Sequence, residues 1–142
     1  MKVIVVDNSV IMKPILEEDD ADKVKKLFLH KDRFELSILV PDIFCYEFLN
    51  ILTKAVGTES ALKAYNYLKN RQLSVIPFED DLIKIAGGLV KKYPQISFYD
   101  AAYHALAIAH KADLITADER YYNLTKGEGR VKLLSDFKVN GD

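Results

Sequence analysis

Four carboxylates in this chain of 142 residues stand where an acid does more than solvate a surface. Asp7 closes the apolar run Val3-Ile4-Val5-Val6, and Asp118 follows Leu114-Ile115-Thr116 by one residue. Asp100 opens an alanine-rich helical pattern, and Glu47 interrupts an otherwise apolar one. Such a set, brought together, coordinates a hard divalent cation, because carboxylate oxygens suit magnesium or manganese better than zinc. Each acid also has a local use. Asp7, followed by Asn8 and Ser9, can cap a helix starting near Val10. Asp100 lies three residues after Ser97, close to a capping box, and Asp118 with Glu119 can open a turn. Glu47 differs, because it shares a helical face with Phe44, Phe48 and Ile51. An ionised group on an apolar stripe is costly unless a cation or a donor meets it, and Asn50, one turn away, is the competing partner.

The elements that position these acids follow from periodicity. Short β-branched runs at 2–6, 38–40, 73–76, 113–116 and 131–134 read as strands, the wholly apolar ones buried on both faces. Helical patterns fill the intervals at 20–30, 42–56, 58–70, 80–93 and 97–112, with Val24, Leu27 and Phe28, or Leu82, Ile85, Ala86 and Leu89, on one face. Acids open several of these helices and Lys or His closes them, as the macrodipole favours. That alternation makes βαβ units and a parallel sheet, in which the ligand crevice lies at the carboxyl ends of the strands. Tyr93-Pro94 and Gly57 end helices, and Gly127 and Gly129 mark the last loop. Gly87-Gly88 sits inside a good helix at roughly 1 kcal/mol each, for which close helix packing is one reason.

Composition narrows the classes. The size suits one domain, 1–142, with its own core. About half of the residues are apolar and the net charge is −1, which excludes a broad basic surface; any nucleic-acid contact rests on local groups such as Lys23, Lys25 and Lys26, Lys69 and Arg71, or Lys91 and Lys92. Those groups equally serve as solvated helix faces. The start is too short in apolar residues for a signal peptide, and no run approaches the ~18 residues of a membrane span. A cytoplasmic location is expected. Cys45, the one cysteine, has no Cys or His neighbours at zinc spacing and reads as a small buried hydrophobe.

Carboxylates from separate elements holding one or two divalent ions are what phosphodiester hydrolysis needs: the ions orient a water, lower its pKa and neutralise charge on the phosphate. His104, one turn after Asp100, is left out of the set, because a helix-borne His beside Tyr103 reads as a surface or packing residue.

The order strand-Asp7-Asn8-Ser9, Glu47 in a helix after Val40-Pro41, Phe98-Tyr99-Asp100-Ala101-Ala102-Tyr103-His104-Ala105-Leu106-Ala107, and Leu114-Ile115-Thr116-Ala117-Asp118 resembles the PIN domain. In length the chain is similar to the stand-alone VapC-type toxin ribonucleases, and the resemblance spans nearly all of it. The resemblance implies a five-stranded parallel sheet flanked by helices on both faces, magnesium-dependent (or manganese-dependent) cleavage of single-stranded RNA, a homodimer and an inhibitory antitoxin. It implies that Asp7 and Asp100 ligate the principal metal, that Asp118 completes it and that Glu47 serves a second metal or positions the nucleophile. Ser9 and Thr116 carry hydroxyls suited to orienting carboxylates or binding phosphate, with local capping as the competing use. Tyr121 and Tyr122 can stack on an unpaired base or cover core edges. Tyr65 and Tyr67 suit a dimer interface, or ordinary core packing.

Departures from the family pattern are Asn8-Ser9, where Thr or Ala with Ser or Asn is usual, Tyr121-Tyr122, where a single Phe is common, and the additional acid Glu119. A haloacid dehalogenase phosphatase also places Asp after its first strand, but it requires a second Asp two residues on, where this chain has Ser9. Two further readings stay open: a housekeeping PIN nuclease of RNA processing, and a non-catalytic PIN-like RNA-binding or scaffold subunit.

Overall fold

Five strands build one all-parallel sheet in a computed structural model that describes residues 2–29, 31 and 35–138. They are β1 (Lys2–Val6), β2 (Leu36–Pro41), β3 (Ser74–Ile76), β4 (Asp113–Thr116) and β5 (Val131–Leu133), in the order β3-β2-β1-β4-β5. Neighbouring residues of a strand point to opposite faces, yet Ile4, Val5 and Val6 are each fully buried, as are Leu114 and Ile115. Both faces of the central strands are therefore covered, which is why these runs carry no polar alternation. Register places Ile4 beside Ile38 on one side and Asp113 on the other. The edge strands are less enclosed: Lys132 on β5 and Ser74 on β3 are exposed, as sheet edges require.

The described residues form seven α-helices: α1 (Asn8–Ile15), α2 (Ala21–Leu29), α3 (Ile43–Val56), α4 (Thr58–Tyr67), α5 (Asp80–Lys92), α6 (Phe98–Ala109) and α7 (Glu119–Thr125). The central one is α6, which packs over β1, β2 and β4 and against α5. Its run of small residues, Ala101, Ala102, Ala105 and Ala107, is buried and lets the backbone lie close to the sheet. Of the expected helices, the one at 20–30 is described from Ala21 to Leu29, and its expected last residue, His30, lies outside the described residues. The pattern at 58–70 breaks at Tyr67 into a wide π turn through Gln72, where Leu73 N–H reaches Leu68 O at 2.8 Å.

Two helices go beyond the periodic patterns. Helix α1 spans only eight residues, buries Val10, Ile11 and Met12 in succession and contains Pro14, too short a run for its period to be read from sequence. Helix α7 is seven residues long, too short to establish one. Gly87 and Gly88 need a different account from the one expected, because a Cβ at either would meet nothing within 4 Å. Close packing does not explain them. Among the described residues, no helix is long and apolar enough to cross a membrane.

Candidate active site

The strand order reverses between β1 and β4, since one half of the sheet grows outward from β1 and the other from β4. The crevice beyond the carboxyl ends of two such strands is where open α/β sheets bind ligands. Asp7 and Asp118 stand there. Asp7 N–H bonds Ile115 O at 3.3 Å, which extends the β1–β4 pairing by one residue and brings Asp7 beside Thr116. Glu47 comes from the second turn of α3 and Asp100 from the first turn of α6. All four line one pocket of about 300 Å³, together with Asn8, Ser9, Tyr103 and a fifth acid, Glu18.

The local uses of these acids and their place in the pocket coexist. Asp7 is the N-cap of α1, its Oδ1 accepting from Val10 N–H at 3.3 Å. The Ser9 hydroxyl donates to the same Oδ1 and the Thr116 hydroxyl to Oδ2, both through short hydrogen bonds. Each hydroxyl is oriented in turn, since Ser9 Oγ accepts from Ala117 N–H at 3.2 Å and Thr116 Oγ1 from Asp118 N–H at 3.0 Å. Asp118 caps α7 through Tyr121 N–H at 3.0 Å. Ser97 caps α6, its Oγ accepting from Asp100 N–H at 3.0 Å. Glu47 finds its donor in Tyr103 rather than Asn50: Tyr103 Oη donates to Oε1 at 2.6 Å. Tyr103 lies three residues after Asp100, on the same helical face, and that spacing was the available signal for it.

Burial and mutual repulsion set the electrostatics. Removal from water raises the Asp7 carboxyl from 3.8 to about 6, against the pull of Ser9, Thr116 and Val10, with the Asp100 charge adding to the rise. Glu47 is raised by burial first and by Asp100 last, opposed by its bond to Tyr103. Asp100 is raised by burial and by Asp118, with Ser97 and then Arg120 opposing. The acids thus feel one another across the pocket. Arg120 sits at the margin, its Nη2 donating to Gln95 O at 2.9 Å.

The donor set fits a hard divalent cation in chemistry and charge: every acid offers oxygen, and no Lys, Arg or His lines the pocket. Asn8 also lines the pocket, and its Oδ1 is buried without a hydrogen bond. The acids are not drawn into a ready ligand cage, however. Among the described residues no three His, Cys, Asp or Glu side chains stand as a metal-holding group, in keeping with like charges that repel and with oxygens already engaged by hydroxyls, a helix cap and Tyr103.

Other residues singled out by sequence lie elsewhere. Tyr121 and Tyr122 belong to α7. Tyr121 is 2% exposed and donates to His104 Nδ1 at 2.7 Å, while His104 Nε2 donates to Gly129 O at 2.8 Å. Burial pushes His104 below its usual value, which favours the neutral imidazole with Nδ1 as the acceptor. His104 is a packing residue, and Tyr121 cannot stack on a base. Tyr65 is 9% exposed and packs against Phe44 and Phe48, so it belongs to the core rather than to an interface. Cys45 is half-buried against that core, and Glu119 is exposed outside the pocket lining. Several basic residues are engaged within the chain: Lys23 with Leu134 O at 2.6 Å, Lys69 over Tyr65, Arg71 over Tyr67, and Lys92 with Glu128 at 2.7 Å. The exposed aromatics near the acids are instead Tyr46, 74% exposed, and Tyr99, 61% exposed. With Ile43, Asn50 and Glu47 they line an open groove of about 550 Å³ that shares Glu47 with the acid pocket.

The pattern of the PIN domain family matches residues 4–127. No curated protein is similar enough in sequence to count as a relative. Among solved structures, a chain of VapBC2 from Rickettsia felis, bound to a DNA fragment from its promoter, aligns with a TM-score of 0.70 at 18% identity, over 92% of this chain and 98% of that one. DNA-bound VapBC from Salmonella typhimurium gives 0.70 at 17% identity, over 94% and 99%. VapC20 from Mycobacterium tuberculosis, described as a sarcin-ricin loop cleaving toxin, gives 0.68 at 18% identity, over 84% and 93%.

Proposed function

Because the chain belongs to the PIN domain family, we propose that it is a magnesium- or manganese-dependent endoribonuclease that hydrolyses phosphodiester bonds of single-stranded RNA, acting as the toxin of a type II toxin-antitoxin pair. The observation that carries this reading is one pocket lined by Asp7, Glu18, Glu47, Asp100 and Asp118 and by no cationic side chain. Two like charges ~4 Å apart repel by about 4 kcal/mol at an effective dielectric of 20. An anionic phosphodiester therefore enters only with a cation to shield it.

Asp7, Asp100 and Asp118 are the residues that would hold a divalent ion, with Glu47 beside them. When bound, such an ion lowers the pKa of water and neutralises charge on the phosphate. The chain supplies the rest. Ser9 and Thr116 fix both oxygens of Asp7, so its carboxylate keeps one orientation. Tyr103 holds Glu47 by Oε1, leaving Oε2 to orient an attacking water or take its proton. Tyr46 and Tyr99, exposed in the adjoining groove, offer faces on which unpaired bases stack in a sequence-tolerant way.

The VapBC complexes whose structures match over nearly the whole of both chains support an antitoxin as partner, and VapC20, a sarcin-ricin loop cleaving toxin, supports an RNA substrate. A homodimer and a cytoplasmic location complete the proposal; for the dimer, Leu62 and Tyr67 on α4 are each about half exposed.

Purified protein incubated with a single-stranded RNA is expected to cleave it in manganese or magnesium, to stop in EDTA and to recover when metal is restored. Cleavage that persists in EDTA would reject the metal dependence, and no cleavage of any single-stranded RNA in manganese would reject the nuclease. Light scattering of the same preparation is expected to give twice the chain mass; a single-chain mass at micromolar concentration and above would remove the dimer.

A further inference from the structure

The aromatic side chains beside the acids enclose more than the open groove. Tyr46 and Tyr99 are mostly exposed and Phe98 keeps 41% of its surface; with Phe78, Ile43 and Asp42 they wall a separate pocket of about 220 Å³. An exposed apolar cluster of this kind marks a binding site. Its walls are held from within the chain. Phe78 N–H donates to Asp42 Oδ2 at 3.2 Å, which pins the segment after β3 to the start of α3. The Phe98 ring, on the first residue of α6, meets that of Phe78 edge-on, with centroids 5.9 Å apart and planes at 84°.

The pocket runs into the acid site. Ile43, Tyr46 and Tyr99 also line the open groove, which shares Glu47 with the acid pocket, and Tyr46 and Tyr99 immediately precede Glu47 and Asp100 in sequence. We propose that this pocket seats one unpaired nucleobase of the strand whose phosphodiester is cut at those acids. This rests on the nuclease reading above. Size favours that occupant, because the pocket falls short of the ~300–1,000 Å³ that take a drug-sized ligand and suits a single planar ring system. Chemistry favours it too. Aromatic walls take the face of any base, whereas Asp42, the one charged side chain of the lining, repels a phosphate or a carboxylate. A base held in a duplex cannot enter, so the substrate must carry an unpaired base at one set distance from the cut. Seating that base positions the neighbouring phosphate at the acids.

Two experiments test the pocket, the first without catalysis. 2-Aminopurine riboside, a fluorescent purine excited where tyrosine does not absorb, reads stacking directly in a chain with no tryptophan. Whole wild-type protein in EDTA is expected to quench it. Phe98→Ala and Tyr99→Ala are each expected to bind it about tenfold more weakly, and Phe98→Tyr, which keeps the ring, to bind as wild type does. In the second experiment, single-stranded RNAs that each carry one abasic nucleotide are cleaved in manganese. Wild type is expected to lose about tenfold in kcat/KM when the abasic nucleotide falls at one position relative to the cut, and Phe98→Ala and Tyr99→Ala to cleave that RNA and the intact one equally well. No quenching at millimolar riboside, unchanged quenching in both alanine variants, or equal cleavage of every abasic RNA by wild type overturns the proposal. So does a fall from two-chain to one-chain mass in either alanine variant by light scattering, which makes this face an interface between copies. Riboside binding that weakens in the alanine variants while wild type cleaves no RNA in manganese overturns the nuclease reading and leaves the base pocket standing.

Discussion

Replacing Asp7 by Asn should stabilise the metal-free protein while abolishing cleavage, and the size of the gain follows from the pocket. Folding raises the Asp7 carboxyl from 3.8 to about 6, so the folded state prefers the protonated acid. The stability this group permits is complete below the unfolded value near 3.8 and is lost as pH rises through 6. A shift of about two units corresponds to ~3 kcal/mol, fully lost by pH 7.5. Asn carries no charge and caps a helix as well as Asp, so the bond from Val10 N–H survives. Its amide nitrogen must face the Ser9 or the Thr116 hydroxyl, now donor against donor, at about 1 kcal/mol. The net gain is about 2 kcal/mol. With an unfolding entropy near 2.1 cal/mol/K per residue over 142 residues, the melting temperature should rise by roughly 7 °C in EDTA at pH 7.5. The gain should vanish as pH falls from 6 towards 4, where wild-type Asp7 is protonated. Magnesium at a hundred times its Kd should stabilise wild type by about 2.7 kcal/mol and barely move the variant. Thermal melts by circular dichroism at both pH values, with EDTA or magnesium, check these signs alongside cleavage of a single-stranded RNA. A variant that melts below wild type in EDTA at pH 7.5, or that cleaves at the wild-type rate, would refute the reasoning.

The exposed tyrosines of the groove should act on substrate binding alone. Tyr46→Ala with Tyr99→Ala should raise KM for single-stranded RNA by tenfold or more, at about 1–3 kcal/mol per stacked base, with kcat little changed; a loss confined to kcat would contradict this. Tyr121→Phe leaves the buried His104 Nδ1 without its donor. It should destabilise the protein by about 1–3 kcal/mol in denaturant melts, while manganese affinity stays at the wild-type value, and a fall in affinity would place Tyr121 in the site. Gly88→Ala should stabilise by up to about 1 kcal/mol, because the new Cβ meets nothing within 4 Å; a lower melting temperature would show that the glycine has another purpose.

Local chemistry carried much of this protein into view from its sequence. Val3-Ile4-Val5-Val6 and Leu114-Ile115-Thr116 announce strands covered on both faces, because an unbroken apolar run has no side to turn to water. Alternation with helical periods then makes the sheet parallel. Glu47 was conspicuous because its apolar neighbours forbid a lone charge. Less visible were the short elements: α1 spans eight residues and α7 two turns, too few in either for a period to be read. Only the tertiary structure decided who pairs with whom. The order β3-β2-β1-β4-β5 joins Asp7 to Thr116 across 109 positions of sequence and Glu47 to Tyr103 across 56. It also adds Glu18 and Asn8 to the acid pocket and takes Tyr65 and Tyr121 into the interior while leaving Tyr46 and Tyr99 outside. Periodicity records which side of its own element a residue occupies. Which partner meets that side depends on how the strands are ordered and packed, and no local spacing encodes it.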